Sequence, residues 1–353
     1  MSIYSHRLEL IKKLLELDYK VIITAPHGEE ENKIKELGCV FIPVPIENRG
    51  TSIKKDFRLL KDIRNIYRQE KPDIILTFYT KTNIYGGIVA RNMKIPYIEN
   101  VCGLGTSLIK DNLLGRFMRL LYKEALKKSH IVFFQNKDNI KYIREKKVYK
   151  GDYVLLPGSG VSLSRYSLLP YPRGNKIEFL FCSRIIKEKG IDEYLTAARL
   201  IKSKYPDTIF HVAGPCDSDY EEILRDHEKE GIIKYHGKLM DLHPLYEQMH
   251  CLVLPSYYPE GMANVLLESA ASGRPIITTN LPGCGETVND NESGFIVKER
   301  DVDSLVNALE KFILLTPEEK ETMGAKGREK MEKEFNRDIV LENYICQINK
   351  IIS

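Results

Sequence analysis

The chain of 353 residues contains no tryptophan and has no apolar run of the ~18 residues that a membrane-spanning helix requires. Its start, MSIYSHRLELIKK, lacks the apolar core of a signal peptide. Seven cysteines occur without a CxxC pair or an accompanying pair of histidines, so we expect reduced thiols and no zinc site. These absences predict a cytoplasmic protein, and the length favours two domains that each bury a sizeable core.

Charge is distributed unevenly along the chain. The net charge is +4, but residues 1–170 carry 30 Lys and Arg against 18 Asp and Glu (+12), whereas the remainder carries 23 against 31 (−8). The basic residues gather in Lys54–Lys71 and Lys110–Lys128, where apolar residues recur at helical spacing. A solvated helix face explains either segment alone; together they favour an anionic membrane surface or a lipid diphosphate acceptor. No nucleic-acid motif accompanies them, so nucleic acid is not an expected partner.

Apolar strands and amphipathic helices alternate along the chain, which is typical of parallel sheets covered by helices. The strands predicted for the first half are Lys20–Thr24, Val40–Pro43, Ile74–Thr77, Tyr97–Glu99, Ile131–Gln135 and Asp152–Leu156. Those predicted for the second half are Ile177–Cys182, Thr208–Ala213, Ile232–His236, Leu252–Leu254, Ile276–Thr278 and Phe295–Val297. A turn-rich segment at 161–175 separates the halves. We therefore predict an α/β chain of two Rossmann-like, doubly wound domains, 1–165 and 166–336, facing a cleft and followed by a final helix at 337–353.

The segment Cys251–Val297 carries the most specific pattern. A buried strand is followed by a loop with Glu260 and Gly261, a helix near Ala263–Ser272 and a second strand. The helix dipole and the first backbone N–H groups of the helix favour a bound anion such as a phosphate. These groups belong to Met262, Ala263 and Asn264. Glu268, about two turns further on, is placed to accept hydrogen bonds from a polyol. The segment thus predicts a nucleotide-sugar site, the alternative being a surface helix with two solvated acids.

Glu260 and Glu268, between PSYYPEG and SAASGRPIITTNLPG, resemble the signature of retaining GT-B glycosyltransferases of family 4. The resemblance implies that Glu260 contacts hydroxyls of the donor sugar and that Glu268 contacts the ribose of the nucleotide. It also implies that the backbone after Glu260 contacts the sugar and diphosphate, and that the donor is a UDP-sugar. In the GT-B fold the final helix crosses back to the first domain, and we expect the same here.

Two cations follow the predicted strand Ile177–Cys182. Arg184 and Lys189 lie in SRIIKEKG, at the carboxyl end of that strand, where two positive charges can neutralise a diphosphate. They are similar to the Arg/Lys pair with which the family stabilises the departing nucleotide diphosphate; a basic surface loop is the alternative. Gly214, after the next predicted strand, would let the backbone approach the nucleotide. Leu239 lies in HGKLM, which resembles the segment whose backbone contacts the base.

In the first domain, SIYSHR, KTNIYGG, ENVCGLGTS and FFQN resemble transferases of surface-polysaccharide and glycoprotein-glycan assembly. Among these are bacterial N-acetylgalactosaminyltransferases that act on undecaprenyl-diphosphate-linked sugars. The resemblance implies an acceptor site bordered by His6, Arg7, Lys81, Asn83, Gly103 and Gly105. A capping or buried role explains His6 equally well. The two glycines of GLG do not begin a dinucleotide fingerprint, because Leu108 occupies the position of its third glycine.

The chain departs from the family pattern at its start. The family opens with a strand and a glycine-containing loop before a segment like SIYSHRLELIKK, whereas this chain begins at that segment. We therefore expect the first domain to lack one central strand. The DSD of residues 217–219 looks like the metal motif of another glycosyltransferase architecture. Acidic residues at the start of a helix explain this motif as well, so neither a metal nor a cofactor is expected.

These motifs together predict a retaining, metal-independent glycosyltransferase of surface-glycan or capsule synthesis. A hexose or N-acetylhexosamine would pass from a UDP-sugar to a saccharide linked to undecaprenyl diphosphate, at the inner face of the cell membrane. Because no nucleophile is well placed, we infer front-face transfer, in which Arg184 and Lys189 stabilise the diphosphate charge while Glu260 orients the sugar. Two alternatives stay open: a sugar-nucleotide epimerase of related fold, and an inactive homologue that binds UDP-sugars.

Overall fold

The computed structural model describes residues 3–28, 30–46, 53–104, 108–216, 218–258 and 260–352. The chain forms two compact units: unit 1 comprises residues 1–159 and 338–353, and unit 2 comprises residues 160–337. The boundary between Ser159 and Gly160 lies before the one predicted after residue 165, and the residues that follow Arg337 group with unit 1. None of the helices in the described residues is long and apolar enough to cross a membrane.

Unit 1 alternates helices with short parallel strands. Its elements before residue 160 are α1 (Ile3–Glu16), β1 (Ile22–Ala25), α2 (Glu31–Glu36), β2 (Val40–Pro43), α3 (Ile53–Glu70), β3 (Ile75–Phe78), α4 (Thr80–Met93), β4 (Tyr97–Val101), α5 (Leu113–Leu126), β5 (Ile131–Phe134), α6 (Lys137–Glu145) and β6 (Tyr153–Leu155). Every residue of β4 and β5 is buried, as expected for central strands of a parallel sheet with both faces covered.

The strands of unit 1 fall into two sheets. β1 pairs with β2, and a second sheet has the order β3-β4-β5-β6, with parallel pairing throughout. Among the described residues, no strand pairing joins β1 or β2 to the second sheet. In the described residues the strands of unit 1 thus form a two-stranded and a four-stranded sheet.

Unit 2 contains a single six-stranded sheet. Its elements are β7 (Ile177–Cys182), α7 (Ile191–Lys204), β8 (Thr208–Ala213), α8 (Ser218–Lys229), β9 (Lys234–Tyr235), α9 (His243–Gln248), β10 (Cys251–Leu254), α10 (Asn264–Ala271), β11 (Ile276–Thr279), β12 (Gly294–Val297), α11 (Val302–Leu314) and α12 (Pro317–Glu334). The last helix is α13 (Arg337–Ile352), whose residues after Arg337 belong to unit 1. Each of the twelve strands predicted from the sequence has a counterpart in the structure. β9 is shorter than predicted, because only two of its residues pair with β8.

The strand order of unit 2 is β12-β11-β10-β7-β8-β9. From β7 the chain moves outward through β8 and β9 and then returns to β10, which pairs with the other side of β7. The order therefore reverses between β7 and β10. In doubly wound sheets, ligands bind outside the carboxyl ends of the strands at such a switch point. The loops that follow β7 and β10 are those with Arg184, Lys189 and Glu260.

The sheet of unit 2 is held on a rigid apolar core. All residues of β10 and β11 are buried, and for β10 the short continuous apolar run predicts this burial. On β7 and β8, the rings of Phe179 and Phe210 stack with centroids 5.0 Å apart, and Phe312 of α11 packs edge-on to Phe179 at 5.8 Å. Complete burial of each such side chain contributes roughly 1.5–3 kcal/mol. The loops at the carboxyl edge of the sheet thus follow strands that are held in place by the packed core.

Candidate active site

The loops that follow β7 and β10 are joined by backbone contacts. The backbone N–H of Tyr257 donates to the carbonyl oxygen of Glu188 at 2.8 Å, and the Ser256 hydroxyl donates to the same oxygen at 3.4 Å. Gly190 has a φ of 79°, and a Cβ at this position would overlap the carbonyl group of Pro255. Only glycine combines this backbone conformation with so close an approach. The two loops are therefore held in a fixed relation at the switch point.

Lys189 and Glu260 form an ion pair at this junction. The Lys189 ammonium group contacts Glu260 Oε1, and the two side chains are only 9% and 15% exposed. Burial and the positive charge of Arg184 lower the pKa of Lys189 to about 8, whereas the neighbouring Cys284 acts in the opposite direction. Each charge needs the other, because an ion without a partner is costly to bury. The fold thus brings together two residues that lie in separate loops of the sequence.

Tyr258 links Arg184 to this ion pair. Its ring centroid lies 5.5 Å from the Arg184 guanidinium carbon and 5.0 Å from Lys189 Nζ. An aromatic ring attracts cations, so Tyr258 is a favourable neighbour of both positive charges. Arg184 is exposed whereas Lys189 is buried, so a ligand meets the guanidinium first. The sequence analysis missed Tyr258; its position two residues before Glu260 in SYYPEG is the signal that could have found it.

A third loop, which follows β11, closes behind Glu260. The Gly283 carbonyl accepts a hydrogen bond from the Ala263 N–H at 2.9 Å, and the Glu286 carboxylate accepts one from the Gly283 N–H at 2.7 Å. A Cβ at Gly283, whose φ is +81°, would lie 2.9 Å from the Cβ of Glu260. The sequence analysis missed Gly283 and Glu286, although the turn residues of LPGCGE indicate a tight loop at this strand end.

This contact corrects the prediction for the start of α10. The sequence predicted that the N–H groups of Met262, Ala263 and Asn264 are open to an anion, but that of Ala263 is bound to the Gly283 carbonyl. The helix begins at Asn264 with Ala263 as its N-cap, in agreement with the predicted start near Ala263. Gly261 is buried, while Met262 and Asn264 are partly exposed. An anion at this helix end therefore meets fewer backbone donors than the sequence predicted.

Glu268 lies in the second half of α10, beside two tyrosines. The Tyr246 hydroxyl donates to Glu268 Oε2 at 3.2 Å, and the Tyr166 hydroxyl also hydrogen-bonds the carboxyl group. Burial raises the pKa of Glu268, and the hydroxyl donors act against that shift. Burial and the charge of Glu268 together raise the pKa of Cys182, the last residue of β7, so Glu268 lies near the carboxyl end of that strand. The ribose contact assigned to Glu268 stays a prediction.

The loops after β8 and β9 complete this edge of the sheet. Gly214, at φ 140°, donates its N–H to the Gly237 carbonyl at 2.8 Å, and a Cβ there would overlap the Ser183 carbonyl. The close approach at Gly214 is therefore to the backbone of this protein, and it joins the loops after β7, β8 and β9. Leu239 follows in the same segment with 39% of its surface exposed. Its contact with a nucleotide base stays a prediction.

A row of three hydrogen-bonded side chains supports the segment after β9. His211 Nδ1 lies 2.8 Å from His236 Nε2, and His211 Nε2 lies 2.8 Å from Glu178 Oε2. Burial and the neighbouring His211 lower the pKa of His236. Because His236 directly precedes Gly237, this row fixes the backbone that holds Gly214. The sequence analysis missed the row because its members come from three different strand regions.

The DSD motif takes the position that its helix-start explanation predicts. Asp219 lies in the first turn of α8, where the helix dipole favours an acidic side chain. Asp217 lies outside the described residues. Within the described part of the chain, no group of three or more His, Cys, Asp and Glu side chains is arranged to hold a metal ion.

The residues predicted to border the acceptor in unit 1 occupy different environments. Arg7 is buried; its guanidinium group donates to Cys102 Sγ at 3.6 Å and lies 4.5 Å from the ring centroid of Phe78. The Lys81 ammonium group lies 3.5 Å from a carboxylate oxygen of Asp56, with about a fifth of each side chain exposed. Lys81 is therefore the more accessible of the two cations, whereas Arg7 is largely enclosed by its neighbours.

Asn83 is fully buried, which does not fit an open acceptor contact. Its side-chain amide donates to the Asn100 carbonyl at 2.8 Å and to the Tyr122 hydroxyl at 2.9 Å. The structure thus gives Asn83 a role in the packing of unit 1. Gly103 has a φ of 155°, in the region that favours glycine. Gly105 lies outside the described part of the chain, and so does the side chain of His6.

Two family models match the chain. The model described as group 1 glycosyl transferases matches residues 171–330, and the model described as 4-like glycosyl transferases matches residues 2–136. The chain is 26% identical to the N,N'-diacetylbacillosaminyl-diphospho-undecaprenol alpha-1,3-N-acetylgalactosaminyltransferase of Campylobacter jejuni, over 99% of this chain and 96% of that protein. It is 27% identical to the UDP-Gal:alpha-D-GlcNAc-diphosphoundecaprenol alpha-1,3-galactosyltransferase of Escherichia coli, over 75% of this chain and 73% of that protein.

Solved structures share the fold at low sequence identity. The sucrose-phosphate synthase of Thermosynechococcus elongatus matches with a TM-score of 0.81 at 18% identity, over 99% of this chain and 94% of that one. HepE of Anabaena, in complex with UDP and glucose, matches with a TM-score of 0.80 at 14% identity, over 99% and 96%. These similarities show the two-domain α/β fold of GT-B enzymes. The group 1 model matches most of unit 2 and the 4-like model matches most of unit 1, so each unit is similar to a glycosyltransferase family over most of its length.

Proposed function

We propose that the protein is a retaining, metal-independent glycosyltransferase that transfers a hexose or N-acetylhexosamine from a UDP-sugar to a saccharide linked to undecaprenyl diphosphate. The names of the Campylobacter and Escherichia relatives support the acceptor class, and the UDP-galactose donor of the latter supports the donor class. A similar capsular polysaccharide glycosyltransferase of Staphylococcus aureus supports a role in surface-glycan synthesis. The observation that carries the proposal is the buried Lys189–Glu260 ion pair beside Arg184 at the switch point.

In this proposal, Arg184 and Lys189 bind the diphosphate of the donor. Negative charge grows on the diphosphate as the bond between its oxygen and the anomeric carbon of the sugar breaks. Cations already in position stabilise this charge more in the transition state than in the bound donor, which is what accelerates the reaction. Loss of one such contact lowers kcat by roughly 10²–10³-fold in enzymes that stabilise developing negative charge in this way.

The ion pair prepares both of its members for the donor. In the free protein, Glu260 compensates the buried charge of Lys189. A bound diphosphate supplies negative charge to Lys189 in its place. The Glu260 carboxylate then becomes available to accept hydrogen bonds from hydroxyls of the sugar, and the sugar is oriented by a group that was already at the site.

Retention follows if the acceptor attacks the face of the sugar from which the diphosphate leaves. The acceptor hydroxyl oxygen forms the new bond to the anomeric carbon while the bond to the phosphate oxygen breaks. The hydroxyl proton passes to the leaving diphosphate, so no protein nucleophile takes part. The acceptor itself is assigned to unit 1, where Lys81 is the most accessible of the predicted residues whose side chains are described.

Release of UDP tests the proposal. UDP-GalNAc and UDP-GlcNAc are supplied with and without an undecaprenyl-diphosphate saccharide, and we expect release that depends on the acceptor. Glu260→Ala and Lys189→Ala should each lower this release by roughly 10²-fold or more. Lys187→Ala is the matched control, because Lys187 lies in the same one-turn helix as Lys189 but is exposed. Equal activity of the Lys189 and Lys187 variants would refute the role assigned to Lys189.

Analysis of the product separates the alternatives. Nuclear magnetic resonance should show an anomeric configuration equal to that of the donor, and activity should survive removal of divalent metals with EDTA. Conversion of the UDP-sugar without an acceptor would indicate an epimerase. Binding of UDP-sugars without turnover, for every acceptor supplied, would indicate an inactive homologue.

The proposal includes a peripheral position at the inner face of the cell membrane. A lipid-linked acceptor remains in the bilayer, so an enzyme that uses it must work at the membrane surface. The +12 net charge of residues 1–170 supports attraction to anionic lipid.

A further inference from the structure

Helix α5 exposes a row of large apolar side chains. Leu113, Phe117 and Leu120 are 83%, 55% and 62% exposed. At about 100° per residue, these three side chains lie within roughly 60° of one another around the helix axis. The opposite side of α5 packs into unit 1 through Gly115, Tyr122, Ala125 and Leu126, all of which are buried. The inner face of the helix is therefore buried in unit 1, while its outer face carries a second apolar row that unit 1 does not cover.

Basic residues flank this apolar row. Arg116, Lys123 and Lys127 are exposed, and helical geometry places them within about 80° of Leu113 on the same side of the row. Lys110 and Lys128 are exposed just before and after the helix. A solvated helix face would carry charges along its whole exposed surface, but here a row of apolar residues is exposed and cations line one side of it.

The acidic residues of this region are engaged by cations of their own. Asp111 lies 3.1 Å from Lys146 Nζ and 3.4 Å from Arg119 Nη2. Glu124 lies 2.6 Å from Arg91 Nη1 and 3.8 Å from Lys127 Nζ. Both carboxylates are thereby compensated within unit 1. The surface that remains is positively charged and complementary to an anionic partner.

The segment before α5 is held against the helix. Arg119 donates to the carbonyl oxygens of Leu108 at 2.9 Å and Lys110 at 3.0 Å, and the Asn112 side chain caps the helix by accepting from the Gly115 N–H at 2.9 Å. Ile109, 37% exposed, is thus fixed next to the start of the apolar row. An ordered apolar row loses little conformational entropy when a partner covers it.

We propose that the exposed face of α5, with Ile109 before it, docks on an anionic lipid bilayer by inserting its apolar row into the interface while the flanking cations contact the headgroups. The inference rests on the proposed function, because it names the element through which the enzyme meets the membrane that holds its acceptor. Large apolar side chains with a basic border are the features of helices that lie in a bilayer surface. A protein partner would need an acidic surface with an apolar centre, whereas a phosphatidylglycerol bilayer offers both properties everywhere.

Sedimentation of the full chain with vesicles tests the proposal. We expect binding to vesicles of phosphatidylglycerol and much weaker binding to vesicles of phosphatidylcholine. The double variant Leu113→Ser, Phe117→Ser should weaken binding to the former by about tenfold or more, since two large apolar groups are no longer buried. Arg116→Gln with Lys123→Gln should weaken it as well, and more so at low than at high salt. The controls are Leu200→Ser, an exposed leucine of α7, and Lys141→Gln, an exposed lysine of α6.

Activity measurements separate this inference from the proposed function. With a short, water-soluble acceptor, the Leu113, Phe117 double variant should keep wild-type turnover, which also shows that it folds. With a long-chain acceptor embedded in vesicles, it should lose turnover in proportion to vesicle binding. An active wild-type enzyme that ignores anionic vesicles would overturn the inference and leave the proposed function intact. Vesicle binding by a wild-type protein that is inactive with every acceptor would refute the function alone.

A second copy of the chain is the competing occupant of this face. Analytical ultracentrifugation of the wild type and the double variant distinguishes it from a bilayer. If the wild type is a dimer that the substitutions convert to a monomer while vesicle binding is unchanged, the inference is wrong. A sedimentation coefficient that does not change between the two proteins, together with lost vesicle binding in the variant, supports it.

Discussion

Replacing Lys189 by methionine tests whether its contact with Glu260 behaves as a buried ion pair. Methionine keeps the length of the side chain and removes the charge. The two side chains are 9% and 15% exposed, so solvent screens the remaining carboxylate poorly. Removal of one member of a buried pair costs about 3–5 kcal/mol of stability, whereas exposed pairs contribute about 0–1 kcal/mol. We expect the free energy of unfolding of Lys189→Met to fall by about 3 kcal/mol or slightly less, because some exposure remains.

The double variant Lys189→Met, Glu260→Gln separates stability from catalysis. It leaves no uncompensated charge, and uncharged replacements of a buried pair are often neutral, so we expect it to lie within about 1 kcal/mol of the wild type. Its transferase activity should nevertheless stay lost, with kcat lowered by roughly 10²-fold or more, because the diphosphate still lacks one cation. A double variant that recovers stability but not activity would assign the two effects to different causes.

Urea unfolding followed by far-ultraviolet circular dichroism is the suitable assay, because the chain lacks tryptophan as a fluorescent probe. Lys187→Met, in the exposed neighbouring position, is the matched control. The reasoning is refuted if Lys189→Met unfolds within about 0.5 kcal/mol of the Lys187 control, as expected for a solvent-screened pair.

Three further predictions concern single residues. Gly190→Ala should destabilise the protein and lower activity, because a Cβ would overlap the carbonyl group of Pro255. The control is Gly231→Ala, which has a similar φ and no neighbouring atom within 4 Å of the added Cβ, so it measures the backbone strain alone. Equal urea midpoints for the two variants would contradict the packing argument. Glu99 is fully buried without a hydrogen-bond partner for its carboxyl group among the described residues, and burial raises its pKa. In acid both the folded and the unfolded state bind the Glu99 proton, but above a pH of about 4 the unfolded state loses it while the folded state keeps it. The free energy of unfolding therefore falls as the pH rises above about 4. Glu99→Gln should raise the urea midpoint at neutral pH relative to wild type, with the gain disappearing in acid; a gain that grows in acid would reverse the assigned sign. The pKa of Lys189, lowered to about 8 in the free protein, should rise when a diphosphate binds. Calorimetry of UDP binding in two buffers near that pH should show proton uptake and an affinity that falls as the pH increases; proton release would contradict the contact.

Much of the fold could be predicted because burial leaves a pattern in the sequence. The runs IEFLFC and CLVL predict strands covered on both faces, and β7 and β10 occur where these runs predict them. The turn residues in SAASG end α10 in the same way. The functional loops could be predicted for a related reason, since charged residues directly after buried strands lie at the carboxyl edge of a parallel sheet.

The environment of single residues could not be predicted in the same way. Asn83 stands in a motif that resembles an acceptor site, yet it is buried between Asn100 and Tyr122. The Ala263 N–H stands at a helix start, yet the loop after β11 folds back and occupies it with the Gly283 carbonyl. In both cases the partner is distant in the chain, and local spacing contains no information about which distant group arrives.

The sequence by itself determined the alternation of strands and helices, the two-domain organisation and the loops in which the charged residues of the site lie. It did so because hydrophobic periodicity and turn chemistry act over a few neighbouring residues. Only the tertiary structure decided that β10 returns to pair with β7, and this pairing brings Lys189 into contact with Glu260. The ion pair, the tyrosine that faces both cations and the uncovered apolar row of α5 depend on which surfaces pack and which stay open. That outcome is set by the packing of the whole chain, because burial of one face is decided by every element that competes to cover it.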